Sequence, residues 1–466
     1  MNNGISEVCA VLRRSFRGDL LLPGGAGYDD AGRIWNGMVA RRPALIARCA
    51  DVQDVQAAVR AATSAGVLTA VRCGGHSLAG FGSCDDGLVV DLSALRSVTV
   101  DAGARRAQFS GGCLLGTVDA ATQKAGLAFP SGVVSHTGAA GLVLGGGTGW
   151  LNRSYGLSCD NVEGFTLVLA DGSLVRASSS QNADLFWALR GGGGNFGVVI
   201  EFEVRLHPVT SVLFGAGFCS GDDMTAIVRA WRDFMPEAPD NLRWGISLTI
   251  APDAPATPPS LRGRAVASLG LVWIGDRDSG SRCLRRALSL CHCQGVRLRE
   301  VSYLDLQTMA DHEFPHGRRY YTKSGYFKSL GDAEIDRMAA ALQTIPSPLS
   351  QVELAYLGGA VARVAAGDTA FGDRSSPFLI NLLGNWSAAE DDAANVAWVR
   401  RLFAALRASM TPGVYVNFMS GDELDRVPEA YRERWDRLVA VKSHYDPDNF
   451  FRLNHNIPPQ PLPPRT

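Results

Sequence analysis

Long uninterrupted apolar runs are missing from this sequence. Although 46% of its residues are hydrophobic, no stretch reaches the ~18 consecutive apolar residues that a membrane helix needs. Charge of one sign is not in excess either. With 45 Lys and Arg against 46 Asp and Glu, the net charge is −1, which removes the electrostatic footprint of a nucleic-acid or anionic-membrane binder. The start, MNNGISEVCAVLRRSFRGDL, lacks the basic segment and apolar run of an export signal, so a cytoplasmic location is expected. The ten cysteines have no repeated spacing, which predicts reduced thiols, several of them buried, and no disulfide framework. Cys291 and Cys293 flank His292 but have no second ligand pair at a suitable distance, so no metal is expected. Two common phosphate motifs are absent as well: there is no GxxxxGK[ST], and no GxGxxG opens a βαβ helix with an acidic partner about 20 residues on.

What is present is glycine, 52 residues in a chain of 466, a length that suggests two domains. The segment DVQDVQAAVRAATSAG (51–66) has an acidic start, apolar residues at three-to-four spacing and a glycine stop, so it reads as a helix. LTAVR follows as a strand, then a glycine turn, then the strand GLVVDLSAL (87–95). This βαβ order, with ligand-binding turns at strand ends, suggests an α+β or α/β nucleotide-binding half. Within the turn VRCGGHSLAGFG (71–82) stands His76, a titratable, nucleophilic ring where turn geometry requires none. Its plainer reading is a ring hydrogen-bonded to its own turn.

A second glycine cluster, PSGVVSHTGAAGLVLGGGTGWLNRSYGLSCDNV (130–162), is threaded with Val143, Leu144, Trp150 and Leu151 and so reads as packed backbone, not linker. Such a segment lays peptide N–H groups against phosphate oxygens and lets a flat ring lie on the main chain. A third run, FWALRGGGGNFGVVIEFEVRL (186–206), joins a helix to a strand. Three such turns point to one extended, pyrophosphate-containing cofactor.

Together RCGGHS, GLVVDLS, GLVLGGGTGWLNRSYGLSCDNV, DLFWALRGGGGNFGVV and YDPDNFFRLNHNIPP resemble the FAD-linked oxidases of the vanillyl-alcohol oxidase type, in the berberine-bridge-enzyme-like branch, over nearly the whole chain. Within that branch RIWNG, GVVSHTG, YTKSGY and ELAYLGGAVARV are most similar to the polyketide-modifying enterocin-pathway type, and more distantly to the D-6-hydroxynicotine oxidase type. The resemblance implies an α+β, two-domain PCMH-type FAD-binding fold. It places an FAD-binding domain at 1–210 and 415–459, a substrate domain of antiparallel sheet covered by helices at 211–414, and a disordered tail at 460–466. It implies FAD joined covalently to His76. Relatives with a second flavin bond carry a cysteine where this chain has Val134, so a single link is implied. The cofactor-binding set carried over comprises Arg72, Gly74, Gly75 and Ser77 around the histidine, and Ser135, Thr137, Gly138, Gly141, Gly145, Gly146, Gly149 and Asn161 of the second cluster. Val199, Asn417, Asn454 and Asn456 complete it, with Thr137 a candidate neighbour of flavin N5 or a turn cap.

In the second domain, strand patterns run over 243–250, 265–275, 350–364 and 377–387, and helices over 223–236, 278–293 and 391–410. An antiparallel sheet with helices on one face and the flavin under the other is expected. Glu353 is an expensive carboxylate in an apolar strand, and burial would raise its pKa towards a useful base. Exposure, or a structural pair with Lys323, is the alternative. Tyr415 and Asn417, two apart in a presumed strand, would share a side. The resemblance implies that this tyrosine and Glu353 are the catalytic pair and that the asparagine fixes the flavin. A helix is expected at 428–443.

The function implied is oxidation of a small organic substrate, a polyketide or other secondary metabolite, by hydride transfer to flavin with dioxygen as reoxidant. Oxygen insertion into a poly-β-ketone is the sharper form. Ser247 stands where the enterocin type has a tyrosine, which implies a changed substrate. A 6-hydroxynicotine-like amine oxidase, an alcohol oxidase and a non-catalytic flavin or metabolite carrier are the alternatives. No nucleic acid or membrane partner is expected, and a homodimer is left open.

Overall fold

The computed structural model describes residues 3–290 and 292–460; Cys291 and, apart from Gln460, the tail expected at 460–466 lie outside the described residues. Strands β1 (Asp19–Leu21), β2 (Leu45–Arg48), β3 (Thr69–Arg72) and β4 (Leu88–Asp91) form a sheet in the order β1-β2-β4-β3, with β2 and β3 both parallel to β4. The crossover helix is Val52–Ser64, whose apolar stripe buries Val55, Ala58, Val59 and Ala62. Its start is fixed because the Asp51 carboxylate accepts from Asp54 N–H at 3.0 Å. Strands β5 (Val98–Asp101), β6 (Arg106–Ser110), β8 (Val162–Val168), β9 (Leu174–Ser178) and β10 (Val198–Arg205) form a second sheet, antiparallel throughout, in the order β5-β6-β10-β8-β9. Short β7 (Leu127–Ala128) and β11 (His207–Pro208) pair beside it.

From Ser211 onward a third sheet takes over: β12 (Ser211–Ser220), β13 (Leu242–Ile250), β14 (Ala265–Trp273), β15 (Cys293–Ser302), β16 (Arg319–Phe327), β17 (Gln351–Tyr356) and β18 (Phe378–Trp386), in the order β15-β12-β14-β13-β17-β18-β16. Every neighbouring pair is antiparallel. Alternation sends Leu242, Trp244, Ile246 and Leu248 of β13 into a core closed by Trp231, Ile335, Met338 and Trp398 from helices Met224–Phe234, Asp332–Ala341 and Asp392–Arg407. Arg243, Gly245, Ser247 and Thr249 face the other way and remain uncovered by helices. One face is helix-covered and the other is a roof, as the strand patterns predict.

Several boundaries differ, each for a local reason. β17 ends at Tyr356 and does not run to 364, because Gly358 and Gly359 (φ +24° and +57°) turn the chain into the helix Gly359–Arg363. The expected helix 278–293 is Arg277–Ser289, and Cys293 already begins β15. That at 428–443 is two helices, Val427–Tyr431 and Trp435–Tyr445, broken where Arg432 takes φ 52°. Among the described residues, no helix is long and apolar enough to cross a membrane.

Candidate active site

A cavity of about 1030 Å³ lies between the glycine turns and the uncovered face of the seven-stranded sheet, at the upper end of the range for small-ligand sites. His76 reaches it from the end of β3. Gly75 takes φ +67°, a region that glycine enters without a Cβ penalty, and the His76 ring then stacks on Trp35 with centroids 4.8 Å apart. Trp35 stacks in turn on Tyr320 of β16, at 3.7 Å. His76 Nε2 lies 2.8 Å from His136 Nδ1, and its Nδ1 lies 3.4 Å from Thr137 Oγ1. Burial, reinforced by the imidazoles of His136 and His316, holds the His76 pKa well below its ordinary value. The ring is therefore neutral at pH 7, with a lone pair to offer. The nitrogens of these three histidines fall within 4.8 Å of one another. The 2.8 Å pair is a hydrogen bond, shorter than the about 3.3 Å that separates two ligands bound at about 2.05 Å to a tetrahedral metal.

The two glycine turns interlock. A Cβ on Gly74 would sit 2.4 Å from Gly138 N, and one on Gly138 would sit 2.5 Å from Gly74 N, distances that no side chain tolerates. Farther along, a Cβ on Gly145 would strike the Asn417 amide at 2.0 Å. Asn417 Nδ2 donates to Leu142 O at 3.0 Å and to Tyr415 Oη at 2.9 Å, and Gly147 N–H also donates to Tyr415 Oη, at 3.0 Å. With both lone-pair directions of its oxygen filled, the buried tyrosine directs its own proton elsewhere. Burial raises its pKa against the opposing pull of these donors. The expected strand here is instead a single 3₁₀ turn, Val416–Phe418, so the two side chains meet by turn curvature and not by alternation.

On the roof, Glu353 of β17 faces the cavity beside Gln351, with Ser247 and Asn381 directly opposite in register on β13 and β18. Gln351 Nε2 donates to Oε1 at 3.0 Å and Asn381 Nδ2 to Oε2 at 2.7 Å. Burial raises the Glu353 pKa, outweighing the Asn381 bond that lowers it. Lys323 is not its partner. It sits on the opposite face of β16 and pairs with Asp422 at 3.1 Å and Glu423 at 3.4 Å.

Comparison with known proteins identifies this arrangement. A family model described as FAD binding domain matches residues 43–178, and one described as berberine and berberine like matches 414–458. The chain is 30% identical to an FAD-linked oxidoreductase of Dictyostelium discoideum, over 98% of each chain. It is also 30% identical to (R)-6-hydroxynicotine oxidase of Paenarthrobacter nicotinovorans, over 96% of this chain and 98% of that one. The chain is a berberine-bridge-enzyme-like FAD-linked oxidoreductase. The crystal structure of 6-hydroxy-D-nicotine oxidase from Arthrobacter nicotinovorans superposes with a TM-score of 0.85 at 29% identity, covering 95% of this chain and 98% of that one. A chitooligosaccharide oxidase at 24% identity and a TM-score of 0.87 shares the fold. This FAD-linked oxidoreductase therefore has the two-domain PCMH-type α+β architecture that its motifs imply.

The residues present fit FAD. Cβ atoms on Gly141 and Gly194 would meet nothing within 4 Å, so both leave open space at the cavity wall. Buried polar atoms there lack protein partners, among them Asn454 Oδ1, His455 Nε2 and Tyr431 Oη, as expected where a polar ligand supplies them. Gly74, Gly75, Ser77, Thr137, Gly138, Gly141, Gly145, Val199, Asn417 and Asn454 line the cavity with His76.

Other expected contacts fall elsewhere in this oxidoreductase. Arg72 reaches the cavity wall, but its guanidinium is engaged by Asp91 at 2.8 Å and by Ala31 O. Ser135 turns away and binds Asp311 through its N–H at 2.7 Å and its hydroxyl at 2.6 Å. Asn161 instead bridges Tyr155 O, Leu157 O and His207. Gly146 and Gly149 pack against Phe371 and against Ser131 O, and Asn456 is not among the lining residues. The Thr137 hydroxyl stands beside His76, the attachment end implied for the flavin. Sequence reading missed His136, His316, Gln351 and Asn381. Gln351 was open to detection, because it lies two residues from Glu353 in one strand and so shares its face.

Proposed function

We propose that this chain is an oxidase that removes a hydride from a carbon of a small organic substrate, a polyketide or other secondary metabolite, using FAD carried on His76 by one bond. The observation that supports this most is that a glutamate from the roof sheet and a tyrosine from the flavin-domain side open onto the same cavity as the glycine turns. FAD, when bound, supplies the hydride acceptor and hands the two electrons on to dioxygen. Glu353, oriented by Gln351 and Asn381, takes the proton that leaves the substrate as the hydride departs. Tyr415, its oxygen held by Gly147 and Asn417, delivers or accepts a proton at the substrate oxygen or nitrogen. Val134 in place of a second linking cysteine supports single attachment. Ser247, directly across from Glu353, leaves more room above the reacting carbon than a tyrosine would, which supports a substrate different from that of the enterocin type.

A 6-hydroxynicotine-like amine oxidase or an alcohol oxidase is the second reading, favoured by the full-length similarity to (R)-6-hydroxynicotine oxidase. The test common to both is anaerobic photoreduction of the purified protein followed by admission of air. Reoxidation within seconds is expected. Reduced flavin that persists in air would exclude an oxidase and leave a dehydrogenase or a carrier.

A further inference from the structure

The roof carries a cation that lowers the Glu353 pKa through its charge but has no contact in the chemistry above. Arg243 on β13 shares the cavity face with Ser247 and Glu353, and its guanidinium lies over the Trp150 ring at 4.8 Å from the centroid. Three buried arginines each have an oxygen partner: Arg374 has Asp160 at 2.5 Å, Arg72 has Asp91 at 2.8 Å, and Arg153 has Leu242 O at 2.7 Å. Among the described residues, no carboxylate or carbonyl oxygen pairs with Arg243, which lies against the Trp150 ring. Burial pushes its pKa down to about 10, opposed by the charge of Glu353, so it remains protonated near neutrality. Arg243 is half-buried and what it exposes faces the cavity; a cation without a charged partner is costly in such a place, and an aromatic face offsets only part of that cost.

The space beside it is open. Gly245 faces Gly270 across β13 and β14, and a Cβ on Gly270 would meet nothing within 4 Å. Arg299 on the edge strand β15 is opposite Phe214, Phe214 is opposite Val272, and Val272 is opposite Arg243. Directly opposed residues share a face, so Arg299 at the exposed edge and Arg243 inside stand on the same face of the sheet, with apolar Phe214 and Val272 between them. Arg243 and Ser247, the cross-strand neighbour of Glu353, are four residues apart, roughly 13 Å along the strand.

We propose that Arg243 is a substrate-recognition residue and that the substrate carries a carboxylate at the end remote from the carbon that is oxidised. A guanidinium lying over an aromatic ring at the cavity wall keeps N–H donors that no oxygen of the described residues takes, and a carboxylate pairs with such a fork through two parallel hydrogen bonds. The inference rests on reading the cavity as the substrate site. It deepens that reading by naming a chemical class.

The experiment titrates the holoenzyme with trans-cinnamate and, separately, with trans-cinnamamide, following the visible absorbance of the flavin. The acid is expected to bind about tenfold or more tightly than the amide. Arg243→Met should weaken cinnamate alone and erase the preference, whereas Arg243→Lys should keep part of it. Equal affinity for acid and amide, a preference that survives in Arg243→Met, or no cinnamate binding up to about 10 mM would each overturn the inference. Flavin content and reoxidation in air are measured on the same samples. Wild-type protein that reoxidises rapidly yet shows no preference for the acid removes this inference and leaves the oxidase reading standing.

Discussion

Glu353 carries two opposing demands. Burial disfavours its charge, while Gln351 and Asn381 give both oxygens a donor. The result is a carboxylate with a raised pKa, suited to take a proton near neutrality. The sign for stability follows from linkage. A folded-state pKa above the unfolded one gives stability that is full below the unfolded pKa and lost as pH rises through the folded one. Glu353→Gln should therefore leave the melting temperature at pH 8 unchanged or higher, while kcat/KM falls about 100-fold or more and the acidic limb of its pH profile disappears. A variant of unchanged activity, or one that retains that limb, would show that another group is the base. Glu353 was legible in the sequence because a carboxylate in an apolar strand is conspicuous. Arg243 and His136 were not, because the Trp150 ring beside the one and the His76 ring beside the other are brought to them only by folding.

At the level of elements, the roof strands were legible because period-two alternation matches a sheet with one packed face. Two of the misread elements end at unusual backbone positions, Gly358 and Gly359 after β17 and Arg432 between the last two helices, where pattern continues although the chain turns. The interlock of the two glycine turns was invisible as a contact, since each run reads only as a loop that approaches a ligand. Gly138→Ala tests it. An added methyl 2.5 Å from Gly74 N and 2.8 Å from Cys73 Sγ must force the turns apart, at a cost of about 1–3 kcal/mol. A lower midpoint in denaturant and less flavin per chain are expected; a variant with wild-type midpoint and flavin content would show that the turns need not touch.

Across the whole molecule, the flavin-side turns and the roof are tied by contacts between residues hundreds of positions apart. Asn36 Nδ2 donates to Tyr320 O at 2.9 Å and its Oδ1 accepts from Tyr320 N–H at 3.1 Å, while Asp311 holds the loop of Ser135. The His76–Trp35–Tyr320 stack runs along the same seam. These ties keep His76, the proposed catalytic pair and the roof in one frame, and no local pattern predicts them. The central claim is that His76, neutral and half-buried beside His136, carries the flavin alone. Denaturing the purified protein in acid and weighing the intact chain beside His76→Ala tests it most directly. The account predicts one FAD mass on the wild-type chain and none on the variant; flavin released from the wild type, or retained by His76→Ala, would contradict it.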